Sequence, residues 1–268
     1  MSTLLEATIA NARYQLPAAI RQYASGAPLQ AHHPHAIATL FRRLGVARMF
    51  TEGVAEPLYL AQMQSAGAYL FGLRLLRDED KVTSRAGAFW DAIGGEYWTA
   101  ASEIVSDSRM TPNPTWELED DFLYVAFLMT RYFLAPGSDD AGRAAEHVRT
   151  QEEMLKRWKT VLDGGPDPRL DLCGALLRGE SEEFWAALLQ TAETRESDLR
   201  SKVAQGSLSD EDAAWFMPFW GEGLALLRLA ERDHLNVNEG CPMVPEIARA
   251  KNGRSFDPQA WTRADELG

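Results

Sequence analysis

Three of the five histidines crowd a single turn, His32-His33-Pro34-His35. Imidazole nitrogens suit zinc, nickel or copper, and His32 with His35 could share an ion, with distant carboxylates completing a hydrolytic centre. A structural zinc site usually takes four ligands, and neither cysteine lies nearby. The missing ligands favour plain surface histidines at a helix start, with no bound metal. Glu231 and His234 form a Glu-x-x-His pair, half of a di-iron bundle motif, but that motif needs a second copy and two further inward glutamates. The second copy is absent from the sequence, so the spacing reads as chance.

Nucleophilic chemistry finds less support. Cys173 sits within Leu170-Asp-Leu-Cys-Gly-Ala-Leu-Leu177, where a thiol behaves as a small core residue. Cys241 falls in a turn, where it could be exposed, but no histidine stands beside it in sequence to lower its pKa. The chain contains no Gly-x-Ser-x-Gly, no phosphate-binding glycine loop and no dinucleotide fingerprint. Neither a catalytic residue nor a cofactor site is therefore expected.

Binding chemistry remains. Trp215-Phe-Met-Pro-Phe-Trp220 packs four aromatics and a proline into six residues. An exposed Trp215 or Trp220 would make an interface anchor, although core packing around a proline kink is the better account of the cluster. Acidic runs follow Thr115, Ser138, Ser181 and Ser209, each of which could cap a helix whose positive end the acids face. Were successive helices to alternate in direction, the starts near 115 and 210 would share one end of the array. Glu117, Glu119, Asp120, Asp121, Asp210, Glu211 and Asp212 would then form a concentrated negative face.

These side chains must be carried by helices. Apolar residues recur at intervals of three and four throughout, with no sustained alternation of period two. The pattern and the Gly/Pro breaks predict helices at about residues 3–24, 35–50, 56–77, 84–106, 115–135, 139–162, 168–178, 182–204, 210–233 and 243–251. Phe122-Leu-Tyr-Val-Ala-Phe-Leu-Met129 is apolar all round and belongs at the centre of a bundle. The expected fold is all-α, with antiparallel helical hairpins in a bundle or a short irregular array, in a single domain. The best candidate seam between halves lies at Thr111-Pro-Asn-Pro114.

Composition agrees with a globular chain: 268 residues, 46% hydrophobic and 25% charged. No run reaches the roughly 20 apolar residues of a membrane span, and the first residues lack a secretory pattern. With two cysteines only, no disulfide framework is expected, and a cytoplasmic location is simplest. The net charge of −12 is lopsided: residues 1–110 carry 10 basic and 10 acidic side chains, residues 111–268 carry 17 and 29. Such a surface repels nucleic acid and anionic lipid and draws in basic proteins.

The second half also resembles a known family. Leu176-Leu-Arg-Gly-Glu-Ser-Glu-Glu-Phe-Trp185 reads as helix, Gly-acidic turn and helix. The Ala/Leu-rich stretch from Gly223 to Asn238 then leads to Cys241-Pro-Met-Val-Pro245. Over about residues 115–250 this pattern resembles the immunity 49 family, whose members are helical cytoplasmic proteins that neutralise toxins passed between competing bacteria. The shared features are helix punctuation and carry no chemistry. The resemblance implies an inhibitor of a cognate toxin, without catalytic residues. The rivals are a helical scaffold binding peptides in an aromatic-lined groove and, further off, a metal-dependent helical-bundle hydrolase built on His32, His33 and His35.

Overall fold

A computed structural model describes residues 2–26, 29–134, 141–237 and 240–263, and the chain is all-α. The predicted cap at Ser138 and the acids Asp139 and Asp140 lie outside the described residues.

Helix α1 (Ser2–Ala24) turns Leu5, Ala12, Leu16, Ile20 and Tyr23 inward, an apolar stripe at helical spacing. It packs on α2 (His33–Glu52), which opens with Pro34 in its first turn and closes at Gly53 in the left-handed conformation. Helix α3 (Glu56–Leu75) packs most extensively on α2 and is buried on nearly every side from Pro57 to Leu73. The close approach has a cause in sequence. A Cβ on Gly45 would lie 2.3 Å from the Ala61 Cβ, so the two backbones meet where one side chain is absent.

The predicted helix 84–106 is two helices, α4 (Gly87–Gly94) and α5 (Trp98–Asp107). Gly94-Gly95 ends the first, and Glu96 takes a positive φ of 60°. The Tyr97 hydroxyl donates to the Tyr59 carbonyl at 3.0 Å and fixes the corner. Helix α6 (Glu119–Phe133) starts four residues later than periodicity suggested, and Thr115 does not cap it. Glu117 instead accepts from the backbone N–H groups of Ser84 (2.8 Å) and Asn113 (2.7 Å), tying the preceding loops together. Phe122 through Met129 are all buried, as an all-round apolar helix requires.

Three long or medium helices follow: α7 (Ala141–Val161), α8 (Pro168–Arg178) and α9 (Ser181–Ala204). Asp167 caps α8 by accepting from the Arg169 N–H, and Gly179 at φ 71° reverses the chain into α9. Ser181 is already inside α9, and its hydroxyl accepts from the Asn236 N–H, so it is not the cap. The predicted helix 210–233 is likewise two, α10 (Asp210–Phe216) and α11 (Gly221–Arg232), because Pro218 cannot continue α10. Ser209 caps α10 by accepting from the Asp212 N–H at 3.1 Å. In place of a final helix 243–251 there is a four-residue 3-10 turn, Glu246–Arg249, after Pro245.

The main core draws on both sides of residues 111–114. Trp90 meets Tyr124 with ring centroids 5.9 Å apart, Phe89 meets Phe133 at 5.5 Å, and α4 packs on α11. The segment after Gly240 returns to the first half: Trp261 packs with Tyr23 and Phe71, and Gln64 Nε2 donates to the Ala260 carbonyl.

Candidate functional site

Histidines are the first test. His35 is folded against Tyr69 (centroids 5.1 Å), and burial, with the nearby Arg85 and Arg42, pushes its pKa down to about 4. His33 stacks on His32 at 4.4 Å and accepts from the Gln30 N–H. Among the described residues, no three His, Cys, Asp or Glu side chains converge as a metal would need. Glu231 lies against Arg228 (3.1 Å) and Arg249 (3.9 Å). Both thiols are buried. Cys173 is pushed far above its usual pKa and Cys241 up to about 11, in each case first by burial. The exposure expected of a turn at Cys241 is absent because the turn folds inward onto Val244 and Pro242.

The predicted acidic face is largely spent inside the molecule. Arg157 holds Glu119 through two hydrogen bonds of 2.7 and 2.8 Å. Arg169 binds Asp121 at 2.7 Å, Asp167 at 2.8 Å and Asp120 at 3.6 Å, while stacking over Tyr124 and Trp158. Arg43 pairs with Asp212, and Asn11 donates to Glu211. Of the seven acids, Asp210 alone has no side-chain hydrogen bond or ion pair among the described residues, and it edges a shallow groove beside Leu4 and Met217. Trp215 and Trp220 are 4% and 1% exposed, so neither presents an indole to a partner. Their rings belong to the core around the Pro218 break, where Trp220 also receives a main-chain tie through its N–H to the Met243 carbonyl.

Unspent carboxylates lie elsewhere. Asp171, Glu182, Glu183 and Glu193 are exposed on the α8–α9 hairpin, and among the described residues no side-chain hydrogen bond or ion pair engages any of them. Helix periodicity puts Glu182 and Glu193 on one face of α9, three turns apart.

The opposite face of α9 borders the main cavity, of about 700 Å³, whose other walls come from α6, the start of α8 and the α10–α11 corner. Thr191, Arg195, Asp198 and Lys202 enter it from α9, and Trp90, Tyr124, Phe216 and Trp220 supply rings. The Tyr124 hydroxyl donates to Glu222 Oε1 at 2.6 Å, and Trp220 Nε1 lies 3.4 Å from Oε2. Burial, then the Glu222 charge, raises the Tyr124 pKa far above its ordinary value. Arg195 sits over the Phe216 ring at 4.7 Å, and its Nε finds no protein acceptor. Burial pulls its pKa below the usual guanidinium value, against the pull of Glu222 and with that of Arg42.

Comparisons with protein-family models, curated proteins and solved structures give no match. The site must therefore be read from its own geometry. Sequence reasoning missed Arg195, Arg169, Tyr124 and Glu222. Arg195 looks in sequence like Arg200, five residues on, which pairs with Glu196 at 2.6 Å. Only the fold separates the arginine that faces a cavity from the one that faces a glutamate.

Proposed function

We propose that the chain is a cytoplasmic immunity-type protein that binds a cognate antibacterial toxin stoichiometrically and occludes it. The observation that carries this reading is the set of carboxylates at Asp171, Glu182, Glu183 and Glu193, exposed on one hairpin and, among the described residues, without a cation of their own. Such groups are already desolvated little and need no internal bond broken before meeting a basic partner. Complementary charge raises encounter rates, toward ~10⁸ M⁻¹s⁻¹ at low salt, and a toxin acting on nucleic acid carries a basic surface to receive it. The second half's resemblance to immunity proteins supports the same role.

The reading places the contact on the α8–α9 hairpin instead of the starts of α6 and α10, whose acids are engaged internally. The test is co-expression with the C-terminal domain of a large secreted protein encoded beside it. Rescue of the host is expected, and the triple change Glu182→Lys, Glu183→Lys, Glu193→Lys should slow association at least tenfold at low salt. Continued killing despite good expression of both proteins would end the proposal.

A further inference from the structure

Arg195 stands apart from most arginines of this chain. Arg42, Arg74, Arg131, Arg157, Arg169 and Arg228 each hold a carboxylate within 3.1 Å. Arg195 has no ion pair or hydrogen bond among the described residues, and its Nε is fully covered while the outer end of the side chain keeps some exposure. A guanidinium is an obligate donor, so a covered Nε–H without an acceptor is unfavourable unless something arrives to accept. The cation–π contact with Phe216 offsets part of this but leaves the Nε–H without an acceptor.

The surroundings define what could arrive. A space of about 700 Å³ opens in front of Arg195, within the range that holds a small organic molecule. Phe216, half-buried, offers ring surface at its wall, behind which Trp90, Tyr124 and Trp220 are packed into the core. Lys202, exposed at the edge of the cavity, stands two turns along the same helix face and pairs with no carboxylate among the described residues. Acidic groups narrow the choice. Asp120, Asp121 and Asp167 are gathered on Arg169, and Glu222 accepts from Tyr124 and Trp220. Asp198, exposed, lines the cavity without a side-chain partner among the described residues. A polyanion would meet Asp198 and Glu222 at close range, whereas one anionic group on a flat ring would meet Arg195 and the Phe216 ring.

We infer that this cavity is a binding site for a small aromatic monoanion, a carboxylate or its like, with the anion on Arg195 and the ring against Phe216. The inference is independent of the toxin-binding role, which lies on the other face of α9.

The probe is 8-anilinonaphthalene-1-sulfonate, an aromatic monoanion, titrated into the full chain with its own fluorescence and the quenching of tryptophan as readouts. The expected result is saturable 1:1 binding, displaced by 1-naphthoate but not by pyrophosphate, with the neutral N-phenyl-1-naphthylamine binding at least tenfold more weakly. Arg195→Met keeps the side-chain length over Phe216 and removes the charge. It should weaken the probe at least tenfold while leaving the melting temperature unchanged or higher, and Arg195→Lys should recover part of the affinity. Non-saturable binding, equal affinity for the neutral analogue, or undiminished binding in a folded Arg195→Met protein would each overturn the site. Should Arg195→Met melt well below the native chain, Arg195 would be a structural tie, and the inference would fall with it.

Discussion

The buried pair between Arg42 and Asp91 offers the sharpest test of how the helices are held. Asp91 lies on α4 with its side chain wholly buried, and it accepts from Arg42 Nε at 2.8 Å and Nη2 at 2.7 Å, both from α2. A third bond comes from the Ser65 hydroxyl on α3, at 2.5 Å, so one carboxylate joins three helices. Replacing Asp91 by Ala strands a guanidinium whose side chain is 15% exposed, and removing one partner of such a pair typically costs about 3 to 5 kcal/mol. With a urea m-value near ~3 kcal/mol/M for a chain of this size, 4 kcal/mol lowers the unfolding midpoint by roughly 1.3 M. Arg42→Met combined with Asp91→Ala removes both charges, and should unfold at least 2 kcal/mol later than Asp91→Ala alone, because the stranded cation is gone. Equilibrium urea unfolding followed by far-ultraviolet circular dichroism measures all four corners of the cycle. A loss below ~1 kcal/mol for Asp91→Ala, or a coupling energy below ~0.5 kcal/mol, would refute the view that this carboxylate ties α2, α3 and α4 together.

Three further outcomes follow from single sites. Since burial holds the His35 pKa at about 4 in the folded chain, well under the ordinary 6.5, the unfolded state alone gains a proton between those values. Stability should therefore fall as pH drops below 6.5, by up to ~1.4 kcal/mol per unit, and flatten near pH 4. Urea midpoints of the native chain and His35→Gln should converge across that window, and parallel profiles would count against it. Gly45→Ala gains roughly 1 kcal/mol of helix propensity but drives a methyl to 2.3 Å from Ala61. Overpacking between two backbones should win, with a net loss of about 2 kcal/mol and a melting point about 5 °C lower; an unchanged melting point would show that α2 and α3 can part. Neither buried thiol should react with Ellman's reagent in the native chain at pH 8, and both should react in denaturant; prompt native release would place Cys241 at the surface.

How far the sequence reaches depends on the kind of signal. All-round apolarity placed Phe122–Met129 in the core, and the breakers at Gly164–Pro168 and Pro242 marked real chain reversals. Other boundaries failed where a tertiary bond outweighed periodicity. The start of α6 moved to Glu119 because Glu117 is engaged by backbone donors from loops 33 and 4 residues away. The burial of α3 was hidden because Gln62, Gln64 and Ser65 interrupt its apolar pattern, yet all three are inside. Gln64 and Ser65 find hydrogen-bond partners from the final segment and from Asp91, contacts between residues far apart in sequence. The acidic runs were visible as charge, but their pairing was not. Whether Asp121 is free or held depends on Arg169, which sits 48 residues later.

That last distinction governs the function. Net charge counts every carboxylate alike, whereas a partner meets only those with nothing else to bind. Glu119, Asp120, Asp121 and Asp212 join helices through bidentate or close arginine contacts, and releasing them would cost the fold its ties. Arginine suits this use because its planar fork spans two acceptors, and the few lysines do not compete for it. What remains outside the internal pairing is sorted by the two faces of α9. Among the described residues, Glu182 and Glu193 look outward without a cation, and Arg195 and Lys202 line the cavity without an anion. A helix that had only to pack would bring these opposite charges together, one turn apart, as it does for Glu196 and Arg200. The cavity side of α9 thus carries Arg195, Lys202 and Asp198, and the outer side Glu182, Glu193 and the Glu196–Arg200 pair, a division that only the fold makes visible.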